Sequence, residues 1–207
     1  MKKIIVLLVL VLGGGGALSV SAQGLYFDIG LGVGWAWTKV NGNDIAKPFV
    51  DLGCKEIGVD IGLKAGFGPF GRIPLYIAAE AGGIGHRISY NADFIQLNSY
   101  LLGGGIIFYP VSFLQLAADI GYSYTGNSTS LEDRIMYKSK GGFAYNASLA
   151  FDLGTGNHGC LFGLRYFAAI NTLENGAKQD QAGLSIFVKY AYRHKVKPLA
   201  KDESNAD

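Results

Sequence analysis

A chain of 207 residues, 49% hydrophobic and only 16% charged, has ample apolar material for one folded domain, which excludes an intrinsically disordered protein. Its 31 glycines, 12 phenylalanines and 12 tyrosines against 5 prolines favour strands over helices. A formal net charge of +2 excludes the strongly basic surface on which nucleic-acid binding depends.

The first 22 residues read as a secretory signal peptide. Lys2 and Lys3 form the positive start, residues 4–12 an apolar run, and Val20-Ser21-Ala22 a small-residue cleavage site. Gly13 to Gly16 cut the apolar run short of the ~20 residues that a membrane-crossing helix needs. The mature chain is expected to begin near Gln23. It loses two of the 18 basic residues and balances the 16 acidic ones.

From Gly24, large apolar residues (Phe27, Ile29, Leu31, Val33, Trp35, Trp37) alternate with small or polar ones (Asp28, Gly30, Gly32, Ala36), and period two over such a length predicts a long strand. The pattern repeats over residues 56–67. A turn at Gly68-Pro69-Phe70-Gly71 leads to a third strand near 73–89, where Ala78, Ala79, Gly82 and Gly83 blur the alternation and suggest a bulge. A fourth strand near 95–109 and a short link at 110–112 precede a clean fifth, near 114–125. Residues 126–140, rich in charge, read as a solvated loop. The sixth strand covers about 143–153, the turn Gly154-Thr155-Gly156-Asn157 follows, and the seventh and eighth span about 160–172 and 181–193. The charged residues 194–207 form a tail expected to be disordered.

Eight strands joined by alternating short and longer connections predict an all-β, eight-stranded antiparallel up-and-down transmembrane β-barrel over residues 23–193, because closure removes the sheet edges that a membrane cannot tolerate. Both ends of the mature chain then fall on the short-link side. Cys54 and Cys160 fall at opposite rims, ~25 Å apart, too far for a disulfide. A soluble barrel of the lipocalin kind fits the alternation equally well but needs a charged outer surface. The polar face here is mainly Gly, Ala and Ser, suited to the narrow inside of an eight-stranded barrel. Aromatic residues gather at the strand ends: Trp35, Trp37, Tyr122, Tyr124, Phe143 and Tyr145 at one, Phe27, Phe67, Phe108, Phe113, Phe151, Tyr190 and Tyr192 at the other. They read as two interfacial girdles.

With that pattern in place, residues 24–193 resemble the small outer-membrane barrels of the OmpA transmembrane domain, OmpX and OmpW kind. The last strand carries the most specific likeness: Gln181, Gly183, Ile186, Val188 and Tyr192 resemble the insertion signal read by the barrel assembly machinery, although the chain runs on past Tyr192. The resemblance implies a porin-like integral protein of the bacterial outer membrane, monomeric, with outward loops and periplasmic termini. Its partners would be outer-membrane lipid, the assembly machinery during biogenesis and an extracellular ligand on loops 39–55 and 126–140.

The inward-facing charges Asp28, Asp60, Lys64, Glu80, Asp119, Asp152, Arg165 and Lys189 are the candidate site. Unpaired charges in a narrow interior are costly, so a structural ion-pair network is expected, with Asp28 meeting Lys189, Lys64 nearby, and Arg165 reaching Asp152 or Asp119. The alternative is a gate in a narrow ion path. His86 and Ser89, three apart on one strand, point to opposite faces and make no nucleophile–base pair, and His86 reads as a rim residue. With no metal-ligand cluster or phosphate-cradling loop in the sequence, a non-enzymatic protein without cofactor is expected. Transport of small hydrophobic molecules through a pore or lateral path, and loop-mediated adhesion, are the alternatives.

Overall fold

The computed structural model describes residues 24–70, 73–130, 135–154 and 156–193, with the backbone alone at 135–137. The predicted signal peptide, the charged tail and residues 131–134 of the predicted loop lie outside the described residues. Strands β1 (Gly24–Val40), β3 (Lys55–Gly68), β4 (Leu75–Tyr90), β5 (Asp93–Val111), β6 (Leu114–Thr129), β7 (Ile135–Asp152), β8 (His158–Leu173) and β9 (Lys178–Arg193) pair in sequence order, all antiparallel. β9 returns to pair with β1 along its length and closes the ring, Ile29 opposite Tyr190 and Trp37 opposite Ala182. The chain is a closed, eight-stranded antiparallel up-and-down β-barrel.

The register fixes the barrel's proportions. Followed once round the ring, paired residues lead from Asp28 through Lys64, Glu80, Gly103, Gly121, Ala144, Ala169 and Gln181 to Thr38, ten residues further along β1. For eight strands about 4.8 Å apart rising about 3.3 Å per residue, that stagger sets a tilt of about 40° and a backbone radius of about 8 Å. Such a bore is filled by side chains, and alternate residues fill it.

β1 and β9 begin and end at the rim that also carries the links β3–β4, β5–β6 and β7–β8, which we call the inner end. At the outer end, β1 turns through Asn41 and Gly42, both with positive φ (50° and 81°), into the two-residue strand β2 (Asn43–Asp44), followed by a helical turn, α1 (Lys47–Val50). Both residues of that turn sit left-handed, which Asn and Gly tolerate best.

Three expectations are corrected. β4 carries no bulge: its register with β3 and β5 is unbroken from Ile77 to Ser89. The small residues there make room instead, since a Cβ on Gly82 would lie 2.9 Å from Glu80 Oε1 and 3.1 Å from Arg165 Nη2. Nor is 126–140 a long loop. β6 runs on to Thr129 and β7 begins at Ile135, with register shifts at Ser123/Gly126, Gly126/Ser128 and Ser139/Gly141 that disturb the period-two signal. The outer connections after β4 and β8 are likewise short, 91–92 and 174–177.

Candidate functional site

Inward positions stack in layers along the bore. At the inner end Tyr26, Tyr76 and Tyr109 pack ring to ring, with centroids 5.4 Å and 6.0 Å apart. Gln115 Nε2 donates to the hydroxyls of Tyr26 (2.9 Å) and Tyr109 (2.7 Å). Tyr109 in turn donates to Asp152 Oδ2 at 3.2 Å, and Asp152 is ion-paired with Arg193, whose guanidinium lies 4.8 Å from the Tyr109 ring centre. Alternation carries Arg193 inward: it lies on the face of Ser185, Phe187, Lys189 and Ala191.

The next layer holds the densest charge. Lys189 Nζ reaches Asp28 Oδ1 at 3.1 Å, and Tyr26 donates to the other carboxylate oxygen at 2.7 Å. Lys64 Nζ bonds Asp119 Oδ2 at 2.5 Å and lies 3.4 Å from Glu80 Oε2. Arg165 divides its fork, Nη1 to Asp60 and Nη2 to Glu80, both at 2.6 Å. Asn146 donates to Glu80 at 3.0 Å and Ser185 to Asp60 at 2.5 Å. Every one of these charged groups is at least 95% buried. Burial at that depth is stable only with compensation, and here each charge has a counter-charge.

Arg165 therefore does not reach Asp152 or Asp119, as the sequence suggested. Tilt carries its guanidinium across the bore towards β3 and β4, where Gly62 and Gly82 leave space: a Cβ on Gly62 would lie 3.1 Å from Nη1. Asp152 is taken by Arg193 one layer lower, a partner that period two on β9 signals. The tyrosines, Gln115 and Asn146 of the same network lie on the polar faces of their strands, but an uncharged residue gives no sign of which carboxylate it will serve.

Above the charges, Ala36, Ile84, Leu101, Ala144, Phe167 and Ala169 form an apolar layer across the bore. The outermost interior is polar but mostly neutral. Asn127 donates to Gln179 Oε1 (2.9 Å), Gln181 to the Leu97 carbonyl (2.9 Å), and Asn171 to Ser99 Oγ (3.4 Å). His86 belongs here, and not at the rim as its position in the sequence suggested. It is 1% exposed, with Nδ1 3.1 Å from Thr38 Oγ1 and Nε2 3.2 Å from Glu56. Ser89 is on the other face. Among the described residues no group of three or more His, Cys, Asp or Glu has metal-holding geometry. Cys54 and Cys160 are free.

The outside reverses this chemistry. Leu31, Val33, Ile61, Ile106, Ile120, Leu164 and Val188 stand exposed round the middle of the wall. Towards the outer end Trp35, Trp37, Tyr122, Tyr124, Phe143 and Tyr145 are exposed, and towards the inner end Phe113, Phe151 and Tyr190, with Phe27, Phe67, Phe108 and Tyr192 half-buried beside them. By the rise per residue and the tilt, the two aromatic bands are about 20 Å apart. In the last strand Gln181 and Gly183 point inward, and Ile186 and Val188 outward.

No family model and no curated protein matches the chain. Solved structures similar to it include small outer-membrane β-barrel proteins. Ail, the attachment invasion locus protein of Yersinia pestis, seen in complex with the heparin analogue sucrose octasulfate, is 14% identical over 81% of this chain and 99% of its own, with a TM-score of 0.49. Neisserial surface protein A is 12% identical over 84% and 100%, TM-score 0.49. A major outer membrane protein from Thermus thermophilus is 10% identical over 83% and 100%, TM-score 0.40.

Proposed function

We propose that the chain is an integral outer-membrane protein, non-enzymatic, whose barrel is a closed anchor and whose outer rim meets the surroundings. The observation that carries this is the inversion of polarity: a wall of exposed Leu, Ile and Val between two aromatic bands encloses charges that are paired and out of contact with solvent. A continuous exposed apolar surface of this kind is unstable in water and stable in hydrocarbon. A tilted strand crosses hydrocarbon in ~10 residues, and these strands have 14 to 19, so the surplus extends past the Trp35 band on the side of β2 and α1. That end faces outward in this reading and the termini face the periplasm. Loop 39–55 and the outer ends of β6 and β7 are then the surface available to an extracellular ligand.

The interior favours an anchor over a pore. The tyrosine layer, the ion pairs and the Phe167 layer follow one another across a bore about 8 Å in backbone radius, and a conducting path would have to cut through all three. The test is refolding of residues 23–193 into vesicles, checked for β-structure and for altered gel mobility on heating, followed by planar-bilayer recording. A folded barrel without unitary current is the expected result. Steady currents that change in Arg165→Met would replace the anchor with a charge-lined channel. A chain that stays soluble and monomeric without detergent would remove the membrane reading altogether.

A further inference from the structure

One stretch of the wall is not convex. Between β5, β6 and β7, the small residues Gly104, Ala118 and Ala147 floor an apolar groove of about 540 Å³ walled by Ile106, Ile120, Phe143 and Tyr145. All seven lie on the outward-facing set of their strands, and the groove runs up the wall to the outer aromatic band. Its size falls in the roughly 300–1,000 Å³ range of ligand-binding clefts.

Further towards the outer end of the strand that supplies Phe143 and Tyr145 stand Lys138 and Lys140, both exposed and neither ion-paired among the described residues. Tyr122, paired with Phe143, donates its hydroxyl to the Lys140 carbonyl at 3.3 Å and fixes that backbone at the head of the groove. Lys140 is three residues beyond Phe143, no more than about 10 Å along the strand, a distance that a lysine side chain reaching back to the interface largely covers.

Resting on the membrane reading above, we propose that this wall is a binding site for one phosphorylated lipid of the surrounding membrane, its acyl chain in the groove and its phosphate on Lys138 and Lys140. Charge complementarity selects the occupant. An apolar slot that opens beneath two ammonium groups without a counter-charge among the described residues suits an amphiphile with hydrocarbon below and negative charge above. A neutral lipid leaves both lysines without a counter-charge, and a soluble polyanion leaves the groove empty.

The test is native mass spectrometry of the detergent-solubilised barrel after reconstitution with zwitterionic lipid plus lipid A, compared with its dephosphorylated form. Wild type retains one lipid A per barrel and little of the dephosphorylated form. K138Q/K140Q and, separately, A118L/A147L reduce retention to background, whereas K39Q/K178Q, on the β1–β9 side, leaves it unchanged. Millimolar inorganic phosphate does not displace the lipid, because the acyl chain holds it too. Equal retention by A118L/A147L, or equal loss in K39Q/K178Q, overturns the site in favour of diffuse charge attraction. Heat-modifiable gel mobility of every variant separates this from failure of the membrane reading, in which wild type itself does not insert. The lysine pair is on the surface, so its result stands even if the groove-filling variant does not fold.

Discussion

Below the Phe167 layer, the lumen is charged: each of Asp28, Asp60, Lys64, Glu80, Asp119, Asp152, Arg165, Lys189 and Arg193 meets a counter-charge. Above that layer the same eight strands present mainly Ser, Thr, Asn and Gln, and the Ser123 and Thr125 hydroxyls, both buried, find no partner among the described residues. The lower half thus depends on particular pairs, each side chain determining what its neighbour must be. The upper half, held by neutral hydrogen bonds such as Asn127 to Gln179 and Gln181 to the Leu97 carbonyl, depends more on size and polarity than on paired charge. If so, equal-volume substitutions cost much below the layer and little above it.

The comparison breaks first at Arg165. In Arg165→Met both carboxylates keep their burial, but Asp60 loses its cation and Glu80 keeps only Lys64, 3.4 Å away, and a cost of about 3–5 kcal/mol follows, read from the urea midpoint of the barrel refolded in vesicles. Arg165→Lys should recover only part of it, because one ammonium cannot match the two-armed fork that bonds both acids at 2.6 Å. A loss below about 1 kcal/mol for Arg165→Met would place the network among decorative pairs. Next is Phe167→Ala, which empties the layer separating the halves. With the side chain 1% exposed, about 3 kcal/mol is expected from lost burial and the cavity left behind. The Asp152–Arg193 pair sharpens the comparison by a double-mutant cycle of Asp152→Asn and Arg193→Met. A coupling of about 1–3 kcal/mol is expected for contacting buried charges, whereas a value near zero would mean that Tyr109, not Arg193, holds the carboxylate.

The two halves also differ in how much of them was legible in the sequence. Period two finds each of the eight barrel strands and the inward face of its regular part, and it places Asp28 beside Lys189, because closure forces the last strand against the first. It does not identify the partners of Arg165. That needs the stagger of ten residues, which brings β8 across to β3 and β4 and depends on the register of all eight pairings at once. The Asn41-Gly42 dipeptide, a strong two-residue hairpin signal, marks the β1–β2 turn, yet its position in a polar connection hides a strand only two residues long. The bulges near Gly126 and Ser139 reverse the in–out alternation locally, so polar residues that belong to β6 and β7 read as loop. His86 shows the remaining limit: alternation puts it inside, but the depth at which Glu56 and Thr38 receive it is a property of the tilt.

The smallest predicted effect tests the upper half most sharply. In Ser123→Ala a buried hydroxyl with no partner is replaced by a methyl that needs none. The desolvation already incurred by the hydroxyl is relieved without loss of a bond, so stability should be unchanged or rise by up to about 1 kcal/mol. The same change at Ser185 removes a 2.5 Å bond to the Asp60 carboxylate and should lower stability by about 1.5–3 kcal/mol, the range for hydrogen bonds to charged groups. The two serines are both inward-facing, and both are at least 98% buried, so burial and volume cancel between them. What remains is whether the hydroxyl has a charged partner. Urea midpoints that move in opposite directions would show that the layer between them divides two kinds of interior. Equal losses would mean that Ser123 has a partner of comparable strength, and that the outer half is as tightly specified as the inner.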